Sequence, residues 1–140
     1  MSLKVRTAEA ILRMSPPHTA EATRLSPEDG FPAVLATSRM SELMELASVR
    51  LMRPHLRDGE SSVSIEMKVT HAAPTTVGGM LRAVAAYDGV SGRLHRFRIH
   101  VFDESGLIGS AEHTRAVVIE RRLLAMARRR ADKPSALLMV

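Results

Sequence analysis

The sequence predicts an α+β fold in which one buried helix packs against a single antiparallel sheet, and three observations carry that expectation. Apolar residues recur at helical spacing across residues 40–51. The period changes to two after the Asp58-Gly59 turn, and the strands that follow are joined only by short turns. Short connections favour antiparallel neighbours. With 140 residues and 45% apolar content, the chain suits one domain with one core.

Residues 5–14 form a strand candidate that ends at Ser15-Pro16-Pro17. Residues 15–31, rich in Pro, Thr, Ser and acids, read as a surface loop. Pro32 leads into the helix, where Met40, Met44, Ala47 and Leu51 fall at i, i+4, i+7 and i+11. Leu43 and Leu46 widen that stripe until little of the helix is left for water. Pro54 stops it, because proline disfavours helical geometry at the preceding Arg53. Val63, Ile65, Met67 and Val69 then alternate with Ser62, Ser64, Glu66, Lys68 and Thr70, the pattern of a half-buried strand. Residues 79–88, 93–103 and 107–119 are further strands, with Asp88-Gly89 and Ser105-Gly106 as turns. The sheet is expected to wrap the helix.

Composition removes several classes of function. The chain has no cysteine, so disulfides, cysteine nucleophiles and thiolate metal sites are excluded. The six histidines are scattered without ligand spacing, and neither a metal nor another cofactor is expected. No run approaches the roughly 20 apolar residues that span a bilayer. Charges throughout Met1–Leu12 argue against a secretory signal, so a cytoplasmic protein without membrane attachment is expected.

The net charge of +5 is unevenly placed. Residues 1–120 carry 14 basic and 14 acidic side chains, whereas residues 121–140 carry six basic and one acidic. We therefore expect a domain over 1–120 and a basic C-terminal extension over 121–140. That extension has helical spacing at Leu123, Leu124 and Met126, then Pro134 and the apolar end Leu137–Val140. Three Phe and one Tyr leave little for base stacking, so nucleic acid is not an expected partner.

Five side chains are chemical candidates beside a plainer reading. His71 shares the parity of the strand's apolar residues and lies just before the bend at Pro74. It is either a hydrogen-bonded structural residue or a base at the mouth of a cleft. Glu45 lies between Met44 and Leu46, where a buried carboxylate would need a partner or a task; on the helix's exposed stripe it would need neither. Thr37 is either an N-cap, a role for which Ser38 competes, or a hydroxyl sharing one broad helix face with Glu45. His113 and Arg115 share the parity of Val117 and Ile119; an inward Arg115 would require an anion such as Glu45 or a ligand phosphate, and a salt bridge at the rim is the plainer alternative.

The chain resembles the bacterial fluoroacetyl-CoA thioesterases from about Phe31 to Ile119. The likeness rests on Ala36-Thr37, Met40, Glu45, Ala47 and Pro54, then Val69-Thr70-His71 with Ala73-Pro74. It continues through Gly92-Arg93-Leu94, Ile108-Gly109, His113 and Arg115-Ala116-Val117. The resemblance implies a hotdog fold, a homodimer or higher assembly, and hydrolysis of an acyl-CoA at the subunit interface. It also implies Thr37, Glu45 and His71 as the catalytic set, with Arg115 and Phe31 as substrate-binding residues, Phe31 acting as a lid. Ser38 and Ser64 stand where the family has glycine, and Glu28 where a second lid aromatic is expected. These departures touch the acyl pocket rather than the catalytic set.

Histidine can take and return a proton near neutral pH, so His71 is the expected base. It would activate water directly, or Glu45 would attack first to give a mixed anhydride. Amides at the helix start are candidate donors to the oxyanion. The rival readings are a dehydratase of acyl thioesters on the same fold and a non-catalytic acyl-CoA binding protein. Release of free coenzyme A separates the last from an enzyme.

Overall fold

The computed structural model describes residues 6–137. Strand β1 (Thr7–Arg13) precedes a connection that contains two 3-10 turns, Pro16–His18 and Glu21–Thr23. Helix α1 (Thr37–Met52) follows, then strands β2 (Glu60–His71), β3 (Met80–Ser91), β4 (Leu94–Asp103) and β5 (Gly106–Ile119), and finally α2 (Glu120–Ala131). The strands form one antiparallel sheet in the order β1-β3-β4-β5-β2, curled around α1. The expected α+β hotdog architecture is the observed one. No helix among the described residues is long and apolar enough to cross a membrane.

The core is the contact between α1 and the concave sheet face. Met40, Leu43, Met44, Ala47, Leu51 and Met52 from the helix meet Leu81, Phe97, Ile99, Val101 and Ile108 from the sheet. Each large side chain so buried contributes about 1.5–3 kcal/mol relative to exposure. Ala10, Ala83 and Ala85 supply small surfaces on β1 and β3, where the helix lies. Gly92 turns the chain between β3 and β4 at φ 63°, a conformation that costs glycine little.

Three expectations need correction. Arg53 keeps helical geometry, at φ −49° and ψ −47°, although Pro54 follows it, and α1 passes into a 3-10 turn, Arg53–His55, instead of stopping at the proline. The even alternation from Val63 to Val69 is broken by a β-bulge: Ser64 pairs with Arg115 and Glu66 with Thr114, leaving Ile65 without a cross-strand partner. Such an insertion reverses which side chains face inward. Ser62 and Ser64 therefore point inward before the bulge and Met67, Val69 and His71 after it, while Ile65 is 55% exposed. The helix also keeps more surface than its apolar residues implied, because α1 leans on the sheet with one side only. Leu46 is 38% exposed and Glu42 lies in solvent.

At the C-terminus the expected helical stretch is α2, none of whose side chains is buried. Its root is fixed by the Glu120 amide, which donates to the Gly59 carbonyl at 2.9 Å. The last apolar residues, 138–140, and the start of the first strand candidate at residue 5 lie outside the described residues.

Candidate active site

Thr37 is the first helical residue of α1, and Ala36, with extended backbone, holds the N-cap position. The threonine hydroxyl therefore does not cap its own helix. Instead its Oγ1 lies 2.8 Å from Nδ1 of His71, the last residue of β2. The other ring nitrogen, Nε2, is buried without a hydrogen-bond partner among the described residues.

The junction that permits this contact is built around Gly109. Gly109 pairs with His71 across β5 and β2. A Cβ there would sit 2.7 Å from Met40 Sδ and 2.8 Å from the Thr70 carbonyl oxygen. Met40 lies one turn after Thr37, so the missing side chain lets the helix start approach the end of β2. The Thr37, Ser38 and Arg39 amides, at the open end of α1, have no acceptor among the described residues.

Glu45 belongs to a second cluster. Its Oε1 accepts from Arg115 Nη1 at 3.1 Å. Arg115 also donates through Nε to Ser62 Oγ at 3.0 Å and through Nη2 to the Ser62 carbonyl at 2.6 Å. The arginine side chain is 2% exposed and that of Glu45 44%, so a buried cation is matched by a half-exposed carboxylate. His113 lies beneath, its ring nitrogens 3.0 Å from Ser48 Oγ and 2.9 Å from Ser64 Oγ. Burial, aided by the Arg115 charge and opposed by Glu45, pushes the His113 imidazole down to about 4. It is thus neutral at pH 7, one ring nitrogen donating and the other accepting.

In one chain, then, Thr37 joins His71 and Glu45 joins Arg115, but no hydrogen bond links the two pairs among the described residues. Eight residues of helix separate Thr37 from Glu45, about 12 Å along its axis. Phe31 lies in the connection before α1, 51% exposed, its amide bonded to the Asp29 carbonyl at 2.9 Å. The sequence reading missed the serines of the second cluster. Ser48 was detectable as a polar residue on the buried stripe, but Ser62 and Ser64 were hidden by the bulge.

Comparison with known proteins identifies the family. Residues 16–121 match the family model for fluoroacetyl-CoA-specific thioesterases. The fluoroacetyl-CoA thioesterase of Streptantibioticus cattleyicolor is 40% identical over 107 residues, 74% of this chain and 76% of that protein. A solved structure of the fluoroacetyl-CoA thioesterase FlK superposes with a TM-score of 0.86 at 34% identity, covering 96% of this chain and all of that one. A thioesterase superfamily member from Thermus thermophilus, 24% identical, shares the fold with a TM-score of 0.84 over 94% of this chain and 95% of its own.

Proposed function

The chain belongs to the fluoroacetyl-CoA-specific thioesterase family and is an acyl-CoA thioesterase; from that premise we propose that Thr37, Glu45 and His71 cleave a small acyl-CoA thioester at a site shared by two subunits. The observation that carries the proposal is the Thr37–His71 hydrogen bond. It orients the imidazole through Nδ1 and leaves Nε2, buried and unpartnered, to exchange protons. Nε2 takes a proton from water as the water oxygen adds to the thioester carbonyl. The amides of the first turn of α1 stabilise the oxyanion. The carbon–sulfur bond then breaks, and the departing thiolate takes the proton from His71.

Glu45 holds the attacking water rather than attacking itself, because Arg115 draws on the carboxylate's charge. Arg115 is enclosed, and it contributes to substrate binding through Glu45. Phe31, half-exposed in the connection before α1, covers the acyl group. Fluoroacetyl selectivity is not part of the proposal, since Ser38, Ser64 and Glu28 depart from the family at the acyl pocket and the Ser64 hydroxyl is tied to His113.

β2 is an edge strand, so its outer backbone groups are open to a second copy. Antiparallel pairing of two β2 edges about a two-fold axis brings the His71 end of one subunit toward the Glu45 level of the other. The proposed homodimer thus completes a set that one chain leaves in two pieces. Single turnover of a series of acyl-CoAs in heavy-oxygen water tests the chemistry. Free thiol should appear with the label in the released acid and none in Glu45. Label in the Glu45 carboxylate would require an anhydride, and absence of thiol release would remove the catalytic assignment.

A further inference from the structure

The charge of this chain has a location that the hydrolytic residues do not use. Helix α2 carries Arg121, Arg122, Arg128, Arg129 and Arg130, all exposed, and it extends beyond β5 with no side chain buried. Between its first two turns and the Asp58-Gly59 turn lies an open groove of about 530 Å³, lined by Ile119, Leu124, Arg121 and Arg128 together with Asp58 and Glu120. Arg121 and Arg128 are seven residues apart, two helical turns, and so face the same groove. The groove offers apolar surface between two guanidinium groups, and Arg122, Arg129 and Arg130 bring three further cations to the same helix.

The position of that groove in the sheet decides what it can serve. Glu60 pairs with Ile119 at the α2 end of β2, and His71 pairs with Gly109 at the other end. Eleven residues of strand separate them, about 36 Å. The groove is therefore remote from His71 of its own chain. Antiparallel pairing of two β2 edges reverses this relation, because the Glu60 end of one strand then runs toward the His71 end of its partner.

We propose that α2 is the docking site for the phosphate groups of coenzyme A, and that it serves the thioester held at the partner's His71. The inference rests on the thioesterase reading and adds the element that recognises the carrier. Coenzyme A is polyanionic at neutral pH, and Arg pairs with phosphate through two parallel hydrogen bonds. The surplus of positive charge in residues 121–140 matches that demand, whereas residues 1–120 are balanced. On this reading acyl selection and carrier selection are separate in the fold: the first beside Thr37 and His71, the second at α2.

The test compares acyl-CoA with the same acyl group on pantetheine, which lacks the nucleotide phosphates. In Arg121→Ala/Arg128→Ala, the ratio of kcat/KM for acyl-CoA to that for acyl-pantetheine should fall at least about tenfold, and most of it should return in Arg121→Lys/Arg128→Lys. A ratio equal to that of the unaltered protein would overturn the proposal. Calorimetric titration with free coenzyme A judges it without turnover: weakening of about tenfold in the alanine variant supports it, and unchanged affinity rejects it. If the unaltered protein cleaved neither thioester, the hydrolytic reading would fall, and the titration would still decide the role of α2.

Discussion

His71 has one ring nitrogen engaged by Thr37 and the other buried without a partner among the described residues, which suits the base proposed for it. His71→Ala should lower kcat by about 10²–10⁴ while the circular dichroism of the fold is kept. Retention of most of the turnover would remove His71 from the mechanism. His113 is the opposite kind of histidine, placed for structure. The folded chain holds it neutral down to about pH 4, whereas an unfolded chain protonates it near 6.5. Between those values the unfolded state binds more protons, so its stabilising contribution is complete above pH 6.5 and is lost as pH falls toward 4. The melting temperature should therefore drop by several degrees over that interval, and His113→Ala, less stable at neutral pH, should show a shallower decline. An equal slope in both proteins would assign the acid sensitivity elsewhere. Spacing alone left His71 with two readings and gave His113 no more than an inward parity. What separated them was the partner set, Thr37 against Ser48 and Ser64, which depends on contacts across 34, 65 and 49 residues of chain.

Among elements, the helix and the four later strands were legible because their apolar periods are plain, and their bounds moved by only a few residues. The bulge in β2 was not legible, because Val63, Ile65, Met67 and Val69 alternate as they would in an unbroken strand. Only pairing with β5 shows Ile65 displaced and Ser62 and Ser64 turned inward toward Arg115 and His113. The bulge thus converts a serine-rich stretch into the polar floor beneath Glu45. The other decisive contact between elements is Met40 on Gly109. Gly109→Ala would force its Cβ against Met40 and the Thr70 carbonyl, and backbone cannot yield as a flexible side chain can. We expect a loss of about 1–3 kcal/mol in stability, seen as a lower melting temperature, together with reduced turnover as the Thr37–His71 junction opens. Unchanged melting and turnover would show that the junction tolerates the added methyl group.

At the scale of the molecule, one chain holds the proposed catalytic residues in two separate pairs, and an open edge strand lies beside them. Edge pairing of β2 both removes that edge and joins the pairs, so the particle in solution should have about twice the 15.3 kDa chain mass. The basic extension over 121–140, which the sequence set apart by charge alone, would then lie beside the partner's site rather than trail from its own. Subunit mixing tests the shared site most directly. His71→Ala and Glu45→Gln homodimers should each be inactive. After exchange of equal amounts, about half of the dimers should be mixed, each with one site lacking both groups and one site intact. Recovery of about a quarter of the unaltered turnover is the expected result. A mixture that exchanges subunits yet stays as inactive as its parents would contradict the shared site and return all three residues to a single chain.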